Sequence, residues 1–271
     1  MRGPYPLQVP GLSRPASMFV HSVDDVHVSR RIAEEGIWES YETQVLRKLL
    51  GDGKVLLDVG ANIGYYTVIG SQCVGESGRV IAFEPEARNY FLLQHNCEYN
   101  ELDNVMLQHA ALGERNGEIS LYLNTDNLGD HQVYADDGSR AVQKVRMLVG
   151  DDCLAQYPDV RAVDLIKVDT QGAELQVLRG LVATLEKSVP DVHLIVEFCP
   201  YALRAAGHSA NELLDFLQGF ALPIAIIDHV EHQLAPISYS TLYDWVAAVE
   251  VNRQDQGFMN LLLGPMAARA V

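Results

Sequence analysis

The chain has 271 residues, 48% of them hydrophobic and 21% charged, which is enough for one well-buried core. Its 36 acidic and 20 basic side chains give a net charge of −16, a field that repels phosphate backbones and disfavours a nucleic-acid substrate. No window approaches the roughly 18 apolar residues of a membrane span, and four scattered cysteines without a CxxC pair indicate free thiols, so we predict a cytoplasmic protein.

Residues 1–35 carry prolines at positions 4, 6, 10 and 15 and are predicted to form an irregular N-terminal arm. From residue 36 to residue 50, apolar side chains recur at helical spacing, which predicts an amphipathic helix that the Gly-Asp-Gly of residues 51–53 ends. We expect residues 36–271 to form one domain, and the arm could exchange between the subunits of a homo-oligomer.

Short apolar runs then alternate with helical stretches. The runs are predicted as strands over residues 55–59, 79–83, 104–108, 165–168, 193–196, 224–227 and 259–263. Helical patterns separate several of them, over residues 86–99, 174–185 and 210–220. This alternation predicts a Rossmann-like α/β fold, with a mostly parallel seven-stranded sheet flanked by helices on both faces.

One segment near residues 118–149 interrupts this rhythm. Residues 118–123 and 142–149 alternate like strands, and a polar stretch from residue 124 to residue 140 separates them. We predict an inserted hairpin or lid that covers the substrate.

The most informative motif follows the first strand of the sheet. Asp58-Val59-Gly60-Ala61-Asn62-Ile63-Gly64 lies where that strand turns into a helix, and its glycines would let the backbone approach a ligand. Glu84-Pro85 ends the next strand, where a carboxylate can accept both hydroxyls of a ribose. Because the pattern is DxGxNxG rather than GxGxxG, it suits a cationic sulfonium amino acid better than a pyrophosphate, with Asp58 placed to take an ammonium group.

These motifs, with Asn104-Val105, Ala110-Ala111-Leu112-Gly113 and the run from Asp164 to Glu174, resemble the FkbM-type methyltransferases over roughly residues 36–200. The resemblance implies a class I fold that uses S-adenosylmethionine, usually to methylate a hydroxyl of a small-molecule or carbohydrate-like acceptor such as a natural product of secondary metabolism. Residues implied to bind the cofactor are Asp58, Gly60, Asn62, Gly64 and Tyr65 at the methionine end, Glu84 and Pro85 at the ribose, and His109, Ala110 and Ala111 near the adenine, together with Asp169 and with Glu42 and Thr43 as a cap. The sequence departs from the family pattern at Gln171, where a glutamate is common.

Three side chains are candidates for the base that receives the proton of the acceptor. Asp169 and Glu197 end neighbouring predicted strands, and His131 lies in the polar insert, where an imidazole could deprotonate a hydroxyl near neutral pH. The same three residues could hold Mg²⁺, since hard cations take oxygen ligands, but no motif spacing supports a metal and we favour a metal-free site.

Three alternatives stay open on sequence alone. An NAD(P)-dependent oxidoreductase could use a similar sheet, although the GxGxxG fingerprint is missing. A non-catalytic binding protein could retain the fold, since fold and function separate easily. A nucleic-acid methyltransferase is disfavoured by the net charge and by the lack of an Asn-Pro-Pro-Tyr-like tetrad.

Overall fold

The structure, a computed structural model, describes residues 1–22, 25, 27–124, 127–135, 140–252 and 254–269. Its strands are β1 (Arg2–Pro6), β2 (Ser17–Val20), β3 (Val55–Val59), β4 (Arg79–Phe83), β5 (Val105–Gln108), β6 (Ala111–Gly113), β7 (Gly117–Leu123), β8 (Ala141–Val149), β9 (Leu165–Val168), β10 (His193–Phe198), β11 (Ile224–Asp228), β12 (Gln233–Pro236) and β13 (Met259–Leu263). Its helices are α1 (Val28–Glu35), α2 (Ser40–Leu49), α3 (Tyr65–Val74), α4 (Ala87–Tyr99), α5 (Gly150–Leu154), α6 (Glu174–Arg179), α7 (Val182–Ser188), α8 (Pro200–Ala205), α9 (Ala210–Gln218) and α10 (Tyr239–Val251), with a final 3₁₀ turn (Ala267–Arg269). Within the described residues, none of these helices is long and apolar enough to cross a bilayer.

The main sheet has the order β12-β11-β13-β10-β9-β3-β4-β5 in the described part of the chain. Neighbours from β5 through β4, β3 and β9 to β10 run parallel, whereas β13, β11 and β12 pair antiparallel. The predicted Rossmann-like fold is confirmed, and β12 adds an edge strand to the seven that were predicted. The chain moves outward from β3 to one side and returns to β9 on the other, so β3 and β9 flank the point where a crevice opens at the carboxyl ends of the strands.

Both faces of the sheet are buried. Leu57 and Ile166 pack in one apolar cluster with helices α6, α7, α9 and α10, while their neighbours Leu56 and Leu165 pack in a second cluster with α2 and α3. This two-sided burial explains why the strands are nearly continuous apolar runs rather than alternating ones.

The prediction of an irregular N-terminal arm was wrong. Strands β1 and β2 form an antiparallel pair, and α1 follows them. Met18, Val20 and Ile32 are fully buried in the second apolar cluster, and Asn96 of α4 bonds the backbone N–H and C=O of Phe19 at 2.7 and 3.0 Å. Proline excludes a helix but is tolerated in an edge strand, so the proline pattern did not distinguish a short hairpin from a loop.

The predicted hairpin insert is present. Strands β7 and β8 pair antiparallel from Gly117 opposite Met147 to Leu123 opposite Ala141, and β6 adds to the other side of β8. Residues 125, 126 and 136–139 of the predicted lid lie outside the described residues. The described part is fixed to the main domain by Asn89 of α4, whose side-chain amide donates to the carbonyl of Leu128 at 2.9 Å.

Candidate functional site

A cavity of about 700 Å³ opens at the carboxyl ends of β3, β4, β9 and β10, beneath the hairpin insert. The residues predicted from sequence that line its wall are Gly60, Asn62, Tyr65, Glu84, Pro85, Ala110, Ala111, His131, Asp169 and Glu197. The fold therefore brings together most of the residues implied for the cofactor and all three candidate bases.

Gly60 lines the cavity and also allows close packing of the strand ends. Its φ is +84°, and a Cβ at this position would lie 1.9 Å from the carbonyl oxygen of Asp169. At Gly64, whose φ is +93°, a Cβ would lie 2.7 Å from a methyl carbon of Leu93. Both glycines are required by positive φ and by the protein's own atoms, and the predicted approach of a ligand to this turn stays a prediction.

Asn62 and Glu84 form the wall between β3 and β4. The Glu84 carboxyl accepts hydrogen bonds at 2.8 Å from the backbone N–H groups of Asn62 and Glu86. Burial raises the pKa of Glu84 to about 8, and those two N–H groups oppose the shift. The side-chain oxygen of Asn62 is buried and has no hydrogen-bond partner among the described residues, so this wall offers unused polar capacity to a ligand.

Asp58 is not part of the described cavity wall. Its carboxylate accepts a 2.6 Å hydrogen bond from the Thr67 hydroxyl of α3. Burial raises the pKa of Asp58, while the Lys167 charge and the Thr67 bond lower it. A contact between Asp58 and a ligand therefore stays a prediction. What the structure shows is a buried carboxyl group that is not part of the described cavity wall.

Four other residues implied for the cofactor also lie off the described wall. They are Gly64, Glu42, Thr43 and His109. The Thr43 hydroxyl donates to the carbonyl of Trp38 at 2.8 Å, and His109 is exposed and stacks on Tyr90 with ring centroids 4.5 Å apart. Their predicted contacts with the cofactor stay predictions, whereas Trp38 itself lines the cavity.

Lys167 is the main functional candidate that sequence reasoning missed. It lies in β9 with a side chain that is only 5% exposed, and its ammonium group donates to the Asp169 carboxylate at 3.0 Å. The fully buried Glu42 carboxylate lies 3.7 Å away, and the ammonium group also lies 4.7 Å from the centre of the Tyr66 ring. A lysine inside an otherwise apolar four-residue strand was the available signal, since a buried lysine requires partners.

Several carboxylates surround this one lysine. Burial alone would lower the pKa of Lys167, but Asp169, Glu42, Glu39 and Asp58 outweigh it and raise the pKa above its ordinary value. Burial, then repulsion from Glu42, raises the pKa of Glu39 to about 7, and this carboxyl accepts a 2.8 Å bond from the Tyr66 hydroxyl. Carboxyl groups thus outnumber the one ammonium group in this cluster, and burial favours the neutral form of several of them.

Asp169 and Glu197 are joined by the side chain of Gln171. Its amide nitrogen donates to Asp169 at 3.0 Å and to Glu197 at 2.8 Å. Burial raises the pKa of Glu197 well above its ordinary value, and repulsion from Asp169 and Glu174 adds to the shift. The two carboxyl groups therefore differ, because Asp169 has a cationic partner and Glu197 contacts none among the residues that the structure describes.

His131 faces the cavity from the hairpin insert. Its Nδ1 accepts a hydrogen bond from the backbone N–H of Asn124 at 3.1 Å. Burial lowers the pKa of His131, which favours the neutral ring, and a neutral ring that accepts at Nδ1 carries its proton on Nε2. The buried Nε2 has no hydrogen-bond partner among the described residues, so this arrangement makes His131 a donor toward the cavity rather than a base.

The suggested Mg²⁺ set of Asp169, Glu197 and His131 is not supported. Within the described ranges, no three acidic, histidine or cysteine side chains form a group that could hold a metal ion. The amide of Gln171 already bonds two of the three proposed ligands.

The mouth of the cavity is aromatic. Trp38, Tyr134, Tyr201 and Phe258 line it, and Phe258 is 58% exposed. Flat apolar faces beside polar groups can hold a ring that carries hydroxyls.

Known proteins resemble this chain in sequence. It is 29% identical over 190 residues to the hexuronic acid methyltransferase AglP of Haloferax volcanii, covering 69% of this chain and 72% of that protein. It is 25% identical over 197 residues to the 2-O-methyltransferase NoeI of Sinorhizobium fredii, covering 66% and 77%. Against Methyltransferase 1 of Beauveria bassiana the identity is 28% over 148 residues, which cover 48% of this chain and 59% of that protein.

Solved structures overlap the chain loosely. The precorrin-6y C5,15-methyltransferase of Geobacter metallireducens superposes with a TM-score of 0.45 at 11% identity, covering 85% of this chain and 91% of that one. The model of the methyltransferase FkbM domain matches residues 58–222, a span from the end of β3 to the loop before β11. This match includes Asn62, Glu84, His131, Asp169 and Glu197, and the chain therefore belongs to the FkbM methyltransferase family.

Proposed function

We propose that this protein transfers a methyl group from S-adenosylmethionine to a hydroxyl of a small-molecule or carbohydrate-like acceptor. The observation that carries the proposal is the composition of one cavity: Asn62 and Glu84 line its wall at β3 and β4, and Asp169 and Glu197 line it at β9 and β10. The first pair suits a nucleoside, and the second pair suits a hydroxyl that loses its proton.

The residues present fit the cofactor. Glu84 retains lone pairs beyond its two backbone bonds, so its carboxylate can accept ribose hydroxyls, and the unpartnered oxygen of Asn62 can accept from an ammonium or hydroxyl group. The excess of carboxylates around Lys167 favours a ligand that carries positive charge. When bound, the cofactor supplies an electrophilic methyl carbon for in-line displacement.

The chain's own contribution is positioning and proton transfer. Lys167 holds the Asp169 carboxylate in place through a hydrogen bond, and Asp169 accepts the proton of the acceptor hydroxyl as the oxygen forms its new bond to carbon. His131 donates from Nε2 to hold the acceptor oxygen, and the hairpin insert limits the access of water.

The acceptor class is supported by the aromatic mouth. Trp38, Tyr201 and Phe258 line the same cavity as the carboxyl groups at the ends of β9 and β10. A sugar or other hydroxylated ring can stack on aromatic rings of this kind. Two relatives bear names that refer to a hexuronic acid and to 2-O-methylation, which agrees with an oxygen acceptor here.

The direct test is a calorimetric titration followed by a transfer assay. S-adenosylmethionine and S-adenosylhomocysteine should bind, and NADH should not. Labelled methyl groups should then move to members of a panel of hexuronic acids, neutral sugars and hydroxylated ring compounds, but not to matched deoxy compounds. Cofactor binding without transfer to any oxygen acceptor would contradict the O-methylation proposal, and tight NADH binding would favour the oxidoreductase.

Glu84→Gln should weaken the binding of S-adenosylhomocysteine about 10- to 100-fold, the loss expected when hydrogen bonds to a charged acceptor are replaced by bonds to a neutral one. The wild-type affinity should rise with pH, because Glu84, whose pKa is about 8, must lose its proton before both oxygens can accept ribose hydroxyls. Calorimetry at pH 6.5 and 8.5 measures this rise, which we expect to be about tenfold.

The exposed Glu98→Gln on α4 is the matched control and should keep both the affinity and its pH dependence. An unchanged pH dependence in Glu84→Gln would show that another group controls binding.

A further inference from the structure

Gln171 occupies an unusual position between two acidic side chains. Asp169 follows β9 and Glu197 lies near the end of the neighbouring strand β10, where Val168 pairs with Val196. One nitrogen atom, the side-chain amide nitrogen of Gln171, donates to both carboxyl groups, at 3.0 and 2.8 Å. The backbone of Gln171 has a φ of +53°, a conformation that few non-glycine residues adopt.

An amide nitrogen is suited to this position because it carries two hydrogens and no charge. A carboxylate at residue 171 would instead place a third acceptor group beside two others, in a region where burial already disfavours charge. The nearby charged groups are Lys167, which bonds the other oxygen of Asp169, and Glu174, whose carboxyl accepts from the backbone N–H groups of Thr170 and Gly172. These bonds leave the Gln171 amide as the group that joins Asp169 to Glu197.

We propose that Gln171 is a positioning residue for the acceptor end of the cavity: its amide takes the place between Asp169 and Glu197 that a divalent cation would take if residue 171 were a carboxylate. With Gln171 in this place, the spacing of the Asp169 and Glu197 carboxyl groups does not depend on a metal ion. That this spacing matters for catalysis rests on the proposed function. The structural part of the proposal concerns only the side chains of Asp169, Gln171 and Glu197.

The test uses the purified full chain without cofactor or acceptor and Mn²⁺ as the probe, followed by electron paramagnetic resonance. Gln171→Glu should bind Mn²⁺ about tenfold or more tightly than wild type, because three carboxylates then converge on one point. Gln171→Ala, which only removes the amide, should bind more tightly than wild type and more weakly than Gln171→Glu. The double variant Gln171→Glu with Glu197→Gln should lose the gain.

Activity provides the second measurement. Gln171→Glu should lower kcat about tenfold in the absence of metal and recover with Mg²⁺, whereas Gln171→Ala should lose activity that Mg²⁺ does not restore, because only a cation bridged by three carboxylates reproduces the spacing. Gln94→Glu, on the exposed face of α4, is the control and should change neither quantity.

The proposal is overturned if wild type binds Mn²⁺ as tightly as Gln171→Glu, or if Gln171→Glu folds normally and gains no Mn²⁺ affinity. Should Gln171→Glu not fold, Gln171→Ala is compared with wild type instead. Tighter Mn²⁺ binding by Gln171→Ala supports the proposal, and equal or weaker binding overturns it. Mn²⁺ binding needs neither cofactor nor acceptor, so this measurement tests the role of Gln171 even if the proposed function is wrong.

Discussion

Asp169→Asn should lower kcat by about 10²- to 10⁴-fold, the range expected when a positioned base is removed. The affinity for S-adenosylhomocysteine should change little, because Glu84 and Asn62 at the other side of the cavity are untouched. Single-turnover transfer of a labelled methyl group, with calorimetry of the same preparations, measures both quantities.

The comparison with Glu197→Gln makes this prediction specific. Burial raises the pKa of Glu197 well above its ordinary value, which favours the neutral carboxyl group, and an amide is a close mimic of that neutral form. We therefore expect a much smaller loss than in Asp169→Asn. A larger loss in Glu197→Gln would assign the base to Glu197, and the exposed Asp152→Asn of α5 should have no effect on kcat.

Lys167→Met should reduce the free energy of unfolding by about 3–5 kcal/mol, because it leaves buried carboxylates without their cationic partner. Asp169 lies 3.0 Å and Glu42 lies 3.7 Å from this ammonium group, and Glu42 has no exposed surface. Urea unfolding at constant pH measures the loss. The exposed Lys144→Met on β8 is the control and should stay within about 0.5 kcal/mol of wild type.

The free energy of unfolding of Lys167→Met should also depend on pH in a direction that can be measured. Burial raises the pKa of Glu42 and the Lys167 charge opposes this shift, so without Lys167 the pKa of Glu42 would lie further above its value in the unfolded chain and stability would be lost as the pH rises. The difference between variant and wild type should therefore be larger at pH 8 than at pH 5. Adding Glu42→Gln to Lys167→Met should recover part of the loss, and an equal loss at both pH values would argue against an electrostatic cause.

Much of the fold followed from the sequence because two-sided burial leaves a clear pattern. Strands such as β3, β4 and β10 are apolar on both faces, so they appear as continuous runs that no surface helix would show. The hairpin insert was equally visible from its alternation. The N-terminal strands were not, because β1 is five residues long and largely exposed and its prolines are equally compatible with a loop.

The sequence predicted where the candidate site lies, but only part of the reason why particular residues are required there. Glu84 and Asp169 follow strands, where a carboxyl group reaches the crevice whatever the details of packing. The requirement for Gly60 comes instead from the backbone of Asp169, which is more than 100 residues away in the chain and could not be anticipated from local pattern. Lys167 was overlooked because a single charge in a short strand is easily taken as an edge residue, and only the surrounding carboxylates explain its burial.

The hydrogen bond between Glu42 and Asn260 can form only late during synthesis of the chain. The Asn260 amide donates to the Glu42 carboxylate at 2.6 Å across 218 positions of sequence. Glu42 belongs to α2, whereas Asn260 belongs to β13, which lies between β10 and β11 and follows the other strands of the main sheet in the described part of the chain. Synthesis therefore makes Glu42 long before Asn260, so a nascent chain that has already formed β3, β4 and β9 still lacks the hydrogen bond from Asn260 to the Glu42 carboxylate.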